Sequence, residues 1–200
     1  MVSDVICPWC YIGKRRLAKA LEALAEEVSV ETRWLPFQLN PSMPREGIPR
    51  AEYRIAKFGS LERSRELDAR VAREGQSVGI AFAFERMQRT PNTVAAHALV
   101  GLAQEQGRAD AVVDALFRAY FEEAKDIGDA AVLSDVAERC QVSGRPRQEA
   151  MTEVVALDQQ MRGLGISAVP TFILGRKFAV SGAHPPETLV EAIRQASLPG

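Results

Sequence analysis

The sequence predicts an α/β architecture in which one layer is assembled from the two ends of the chain and an all-helical insertion sits between them. Three observations carry this. The first 35 residues read strand, helix, strand; residues 148–196 read helix, β-hairpin, helix; and from about residue 51 to residue 140 the long segments have helical rather than alternating periodicity. The α/β part therefore spans residues 1–45 and 148–200, and the insertion residues 46–147.

Met1 to Ile6 is a short apolar segment, interrupted by Ser3 and Asp4, that forms a strand end leading into Cys7. From Pro8 the period changes. Leu17, Leu21 and Leu24 recur at helical spacing through an Ala, Glu and Lys rich stretch, which predicts a helix over residues 8–27, with Pro8 suited to a first turn that needs no N–H. Val28, Val30, Thr32 and Trp34 alternate with other residues and predict a strand over 28–35. Pro36, Pro41, Pro44 and Pro49 then exclude regular structure.

Helices are predicted over 51–74, 92–106, 110–124 and 131–140, with a short extended piece at Ile80 to Phe84. A further helix over 148–164 should end at Gly163 or Gly165, where positive φ is expected. Thr171 to Leu174, a Gly175-Arg176 turn and Lys177 to Val180 read as a hairpin, and Pro185-Pro186 opens a last helix to about Ala196.

Composition removes several classes of function. A net charge of -1, with acids and bases intermixed, supplies no field to gather nucleic acid or an anionic membrane. No stretch approaches the roughly 20 apolar residues of a membrane span, and the start lacks the pattern of a secretory signal, so a cytoplasmic location is expected. Three cysteines are too few for a disulfide scaffold: Cys7 and Cys10 call for chemistry, and Cys140, among Val136, Ala137 and Val142, for packing.

Cys7 falls at the predicted strand-to-helix junction and Cys10 one helical turn later, so the two sulfurs share a face. Unpaired N–H groups and the helix dipole at such a junction stabilise an anion, and can lower a thiol pKa from about 8.5 toward roughly 3.5–7.5. Cys7 is then the attacking sulfur, or the one attacked, and the more buried Cys10 resolves the mixed disulfide. A structural zinc site would need a second ligand pair, and Cys140, His97 and His184 supply none in a paired motif, so no metal is expected. A permanent disulfide is disfavoured in the cytosol. The run Ser167-Ala168-Val169-Pro170-Thr171 supplies a second signal: a cis Val169-Pro170 turn would hold Pro170 against the sulfurs and leave the Val169 backbone to pair with an extended substrate.

The run Ser3-Asp4-Val5-Ile6-Cys7-Pro8-Trp9-Cys10-Tyr11-Ile12-Gly13-Lys14-Arg15-Arg16-Leu17, with Pro36 to Pro41, Pro91-Asn92-Thr93, Ala96-His97, Val169 to Phe172 and Val180 to Ala183, resembles the DsbA-like thioredoxin-fold oxidoreductases, and within them the FrnE-like group. The resemblance implies a thioredoxin fold split by an all-helical insertion, Cys7 attacking, Cys10 resolving and Pro170 as the cis proline. It implies protein or small-molecule thiols and disulfides as partners, with glutathione as a co-substrate rather than a bound cofactor; a homodimer is the self-association kept open, and the sequence does not set the oligomeric state. Two departures stand out: only six residues precede Cys7, so the first strand is expected to be short, and the extra C-terminal cysteine pair of some cytosolic members is absent. An alternative in the same superfamily is a glutathione-dependent isomerase or transferase, related to 2-hydroxychromene-2-carboxylate isomerase and the kappa-class glutathione transferases; those enzymes carry serine at the Cys7 position and would leave Cys10 without a role. A noncatalytic binding module would make both cysteines dispensable.

His97 is a candidate proton carrier or substrate contact above the cysteines, set against a structural histidine. Trp9 should bulge from the helix start and offer an apolar face to substrate. Asn92 is expected to cap the helix it precedes. Phe37, Phe58, Phe82, Phe84 and Phe117 are expected in the core, and the charged run from Glu62 to Glu74 on a solvated face.

Overall fold

β1 (Val2–Ser3) sits inside the main sheet, which the computed structural model, describing residues 1–198, arranges in the order β2, β1, β5, β6. β2 (Leu35–Pro36) lies parallel to β1, pairing Val2 with Leu35 and Ser3 with Pro36. Parallel neighbours need a crossover, and α1 (Pro8–Ala23) provides it. β5 (Thr171–Leu174) runs antiparallel to β1 through Val2 and Thr171, and pairs with β6 (Phe178–Ser181). The hairpin turn has Gly175 at φ 56° and Arg176 at φ 59°, the left-handed pair that matches strand twist, and Lys177 N–H closes it on Leu174 C=O at 2.9 Å. Lys177 thus belongs to the turn, and the second strand starts one residue later than its sequence suggests.

The insertion contains α2 (Arg50–Phe58), α3 (Leu61–Gln76), α4 (Val94–Glu105), α5 (Ala109–Phe121) and α6 (Ala130–Arg139); α7 (Gln148–Gly163) leads back to the sheet and α8 (Pro186–Ser197) closes the chain on α1. α7 ends as predicted, with Gly165 at φ 85° and Ile166 N–H returning to Met161 C=O at 3.1 Å.

Several expectations are corrected. Residues 28–34 form no strand: β1 offers only two residues of ladder, and the Trp34 N–H is taken by Gln104 Oε1 at 2.8 Å. α1 stops at Ala23, four residues early, in turns closed on Leu24 C=O. The single helix over 51–74 is two, broken where Gly59 takes φ 88° and the Ser60 side chain accepts the Arg63 N–H at 3.0 Å. Ile80 to Phe84 is not a strand; Ile80 N–H bonds Gly75 C=O and a 3₁₀ turn occupies Phe84–Arg86. The proline-rich stretch does hold one short strand, β3 (Ile48–Pro49), paired antiparallel with β4 (Arg89–Thr90). Proline is tolerated there because an edge strand leaves one side of its backbone unpaired.

One buried cluster runs through both parts of the chain, from Cys7, Cys10, Ile12 and Leu17 through Leu116, Phe117 and Phe121 to Phe172, Leu189 and Ile193. At roughly 1.5–3 kcal/mol for each fully buried large aliphatic or aromatic side chain, this shared packing is what fixes the insertion against the sheet. Phe37 and Phe117 are buried in it or beside it, and Phe82 and Phe84 pack on its edge. Phe58 does not join; it lies half-buried on α2 under the Arg54 guanidinium, 4.4 Å from the ring centroid. Cys140, at the end of α6, is half-buried, and burial pushes its thiol pKa up.

Candidate functional site

Asp4 sets up the turn that delivers the cysteines. Its carbonyl accepts the Cys7 N–H at 3.0 Å, its Oδ2 accepts the Leu39 N–H at 2.7 Å, and its Oδ1 accepts from Ile6 N–H at 3.5 Å and faces His97 Nε2 at 3.3 Å. The carboxylate is wholly buried, and these partners are what make that tolerable. One side chain thereby joins the end of β1, the loop after β2 and the first turns of α4. His97, read from the sequence as a group above the sulfurs, has Asp4 as its partner.

Cys7 is the N-cap of α1 with φ -92° and ψ 113°, and its side chain caps nothing. Its carbonyl accepts the Cys10 N–H at 3.0 Å and the Tyr11 N–H at 3.3 Å, and Pro8 follows at the first helical position. The sulfur of Cys7 is therefore spare, beside the positive end of the helix. It is 4% exposed, and its Sγ–H points at the Val169 carbonyl, 3.7 Å away. Cys10 is 0% exposed, and burial together with the Cys7 sulfur pushes its thiol pKa well up. Trp9, between them, is 39% exposed.

The Val169-Pro170 peptide bond is cis. Pro170 C=O accepts the Gly182 N–H at 2.8 Å, which ties this loop to the end of β6, and Thr171 Oγ1 donates to Ala168 C=O at 2.8 Å. Gly13 lets α1 approach: a methyl group there would lie 3.0 Å from Pro170 Cγ and 3.4 Å from Phe172 Cζ. Arg16, on the same helix, donates to Ala183 C=O and reaches Glu74 on α3 at 2.6 Å. The sequence thus brings Cys7, Cys10, Trp9, Val169 and Pro170 to one place.

Reasoning from sequence missed Asp4 and Gly13 as builders of this place. The readable signal was the polar Ser3-Asp4 pair inside an otherwise apolar strand, since polar residues at buried positions have partners to find. Asn92 is corrected as well: Thr93 holds the cap position of α4, while Asn92 Oδ1 accepts the Val94 N–H at 3.0 Å and its Nδ2 donates to Met43 C=O at 2.8 Å. It does the work of a cap from one residue further out. A groove of about 1230 Å³ between α4, α6 and α7 contains none of the cysteine-site residues. Among the described residues no cluster of His, Cys, Asp and Glu is grouped to hold a metal, and no helix is long and apolar enough to cross a membrane.

The model of the DSBA-like thioredoxin domain family matches residues 1–194. The structure is similar to a probable DsbA oxidoreductase from Streptomyces coelicolor, with 31% identity, a TM-score of 0.87, and coverage of 98% of this chain and 87% of that one. It is also similar to the cytosolic disulfide reductase DsbM from Pseudomonas aeruginosa, solved with GSH, at 20% identity and a TM-score of 0.70 over 98% of both chains. A 2-hydroxychromene-2-carboxylate isomerase matches at 17% identity and a TM-score of 0.66, over 97% of this chain and 93% of its own. These last two likenesses concern the fold.

Proposed function

We propose, from the premise that this chain belongs to the DsbA-like thioredoxin domain family, that it is a dithiol-disulfide oxidoreductase of reductase, isomerase or oxidase type working through a mixed disulfide at Cys7. The observation that carries the reading is the asymmetry of the pair: Cys7 lies at the helix terminus beside the Val169 carbonyl, and Cys10 lies one turn behind it, closed from water. Two sulfurs in such different surroundings divide the labour of exchange.

In the forward direction the Cys7 thiolate attacks one sulfur of a substrate disulfide. A Cys7–substrate S–S bond forms, the substrate S–S bond breaks, and the leaving sulfur departs with the electron pair. Cys10 then attacks Cys7 and releases the second substrate thiol, leaving the protein oxidised and the substrate reduced. Once Cys7 has lost its proton the Val169 C=O is relieved of its Sγ–H contact and turns to the backbone N–H of an extended substrate, while Trp9 offers an apolar face. Suitable partners are protein disulfides and small disulfides such as oxidised glutathione, and the compartment that suits this reading is the cytoplasm. The glutathione-dependent isomerase alternative leaves Cys10 unused.

Cys10→Ser tests this directly. Incubated with a protein disulfide and resolved without reductant, the variant should accumulate an adduct through Cys7, and Cys7→Ser should give none. Failure of Cys10→Ser to trap any adduct, with no dithiol-dependent disulfide reduction by the parent protein, would overturn the reading.

A further inference from the structure

The Asp4 carboxylate has three donors, drawn from three parts of the chain. Ile6 N–H, at 3.5 Å, lies within the Asp4–Cys7 turn itself; Leu39 N–H, at 2.7 Å, belongs to the loop after β2; His97 Nε2, at 3.3 Å, is the contribution of the insertion. A carboxylate accepts and does not donate, so the hydrogen of this last contact sits on Nε2. Asp4 is 0% exposed and His97 6%, which removes water as a substitute partner for either. A buried carboxylate that loses a donor keeps the cost of its burial, so this contact matters more than an exposed ion pair would.

Asp4 also holds the reactive cysteine at its other end. Its carbonyl accepts the Cys7 N–H at 3.0 Å, closing the turn that leaves Cys7 at φ -92° and ψ 113° on the tip of α1, with its sulfur 3.7 Å from Val169 C=O. The sulfur therefore rides on a turn whose first residue is tied to α4. Space lies beside the histidine ring: His97, Ser3, Val5 and Trp34 share the lining of a cavity of about 510 Å³, so packing does not grip the imidazole on every side. The hydrogen bond to Asp4 is its directional restraint.

We propose that His97 is a positioning residue for thiol exchange: acting through Asp4, it holds the Asp4–Cys7 turn in the register that sets the Cys7 sulfur against the cis-proline loop. It neither touches substrate nor exchanges a proton with either sulfur. The inference rests on the thiol-exchange reading above, and it gives the insertion a part in the chemistry through a side chain of α4. A displaced nucleophile is costly: misplacement by about 1 Å can lower a rate on the order of 10²-fold, so relaxing the turn by a fraction of that should cost about tenfold.

The test uses the full chain carrying Cys10→Ser and Cys140→Ser, in which Cys7 is the one remaining thiol. The Cys7 thiolate attacks 5,5′-dithiobis(2-nitrobenzoate), a mixed disulfide forms, the reagent S–S bond breaks, and one coloured thiolate leaves with the electron pair. The rate of colour thus reads attack by Cys7. His97→Leu, close in volume but without a donor, should slow this release about tenfold in the folded protein. His97→Gln, which can present an N–H where Nε2 stood, should restore most of the rate. His97→Asn, polar but one bond shorter, takes the place of His97→Leu in the comparison if that variant does not fold. Urea unfolding of the same proteins is the control, since a merely structural histidine would lower stability and leave the rate of the folded protein unchanged. Adding His97→Leu to Asp4→Ala should cost the rate nothing further, because the route to Cys7 is already cut. A parental rate in His97→Leu, equal rates in the Leu and Gln variants, or additive losses in the double variant would overturn the proposal. If the single-thiol parent itself releases no coloured thiolate, it is the thiol-exchange reading that fails.

Discussion

Replacing Gly13 by alanine separates two forces of opposite sign. In an unencumbered helix interior the change stabilises by roughly 0.5–1 kcal/mol, because glycine is the less favourable helix former. At Gly13 the new methyl would meet Pro170 Cγ at 3.0 Å and Phe172 Cζ at 3.4 Å, so the proline loop must retreat by a few tenths of an ångström. Overpacking of this kind costs about 1–3 kcal/mol, which outweighs the helical gain. Gly101, exposed on α4 with nothing within 4 Å of the position its methyl would take, provides the reference. Urea unfolding of the reduced protein should find Gly101→Ala stabilised and Gly13→Ala destabilised, with about 2 kcal/mol between them. Adduct formation at Cys7 should slow in Gly13→Ala alone, because Val169 and Pro170 move together away from the sulfur. If Gly13→Ala gains as much stability as Gly101→Ala and reacts at the parental rate, the close approach of α1 to the proline loop is not what shapes the site.

Two further outcomes follow from the buried groups. Asp158 on α7 is buried, accepts the Gln38 N–H at 2.8 Å and pairs with Arg162 Nε at 3.0 Å, so Asp158→Ala should lower stability by about 2–4 kcal/mol in chemical denaturation, freeing the loop after β2. Because the Cys10 pKa is raised in the folded protein, the unfolded chain loses that proton first as pH climbs. The stability this contributes is complete below about pH 8.5 and is lost above it, with a slope of up to roughly 1.4 kcal/mol per pH unit. Denaturation midpoints between pH 8 and 10 should fall more steeply for the parent than for Cys10→Ala.

The segments that could be read from sequence were those whose pattern is local. α1, α4, α5, α7 and α8 follow from apolar spacing and terminal residues, and the hairpin from Gly175-Arg176. What misled was alternation without a partner: residues 28–34 have the pattern of a strand, but β1 is too short to pair with them. The reverse held at Ile48–Pro49, where the discouragement of Pro49 was overridden by pairing with Arg89 and Thr90, about forty residues away. At the site, the Cys-Pro-Trp-Cys run and the proline loop carry their chemistry in their own residue types. Asp4 and Gly13 do not, since each acts through what the fold places opposite it: Leu39 and His97 for the one, Pro170 for the other.

Both sulfurs belong to the single core that unites the sheet with the insertion, and this couples the electron balance of the pair to the folding of the whole chain. A bond made or broken inside a cooperative unit cannot shift locally; whatever the dithiol form gains over the disulfide form in unfolding free energy must reappear in the reduction potential, about 30 mV for every 1.4 kcal/mol. Melting the two redox forms side by side therefore measures which way the protein leans as an electron donor or acceptor, without any substrate. By the same thermodynamic cycle, a cavity cut at Phe117 or Leu189, remote in sequence from both cysteines, retunes that potential to the extent that it destabilises one form more than the other.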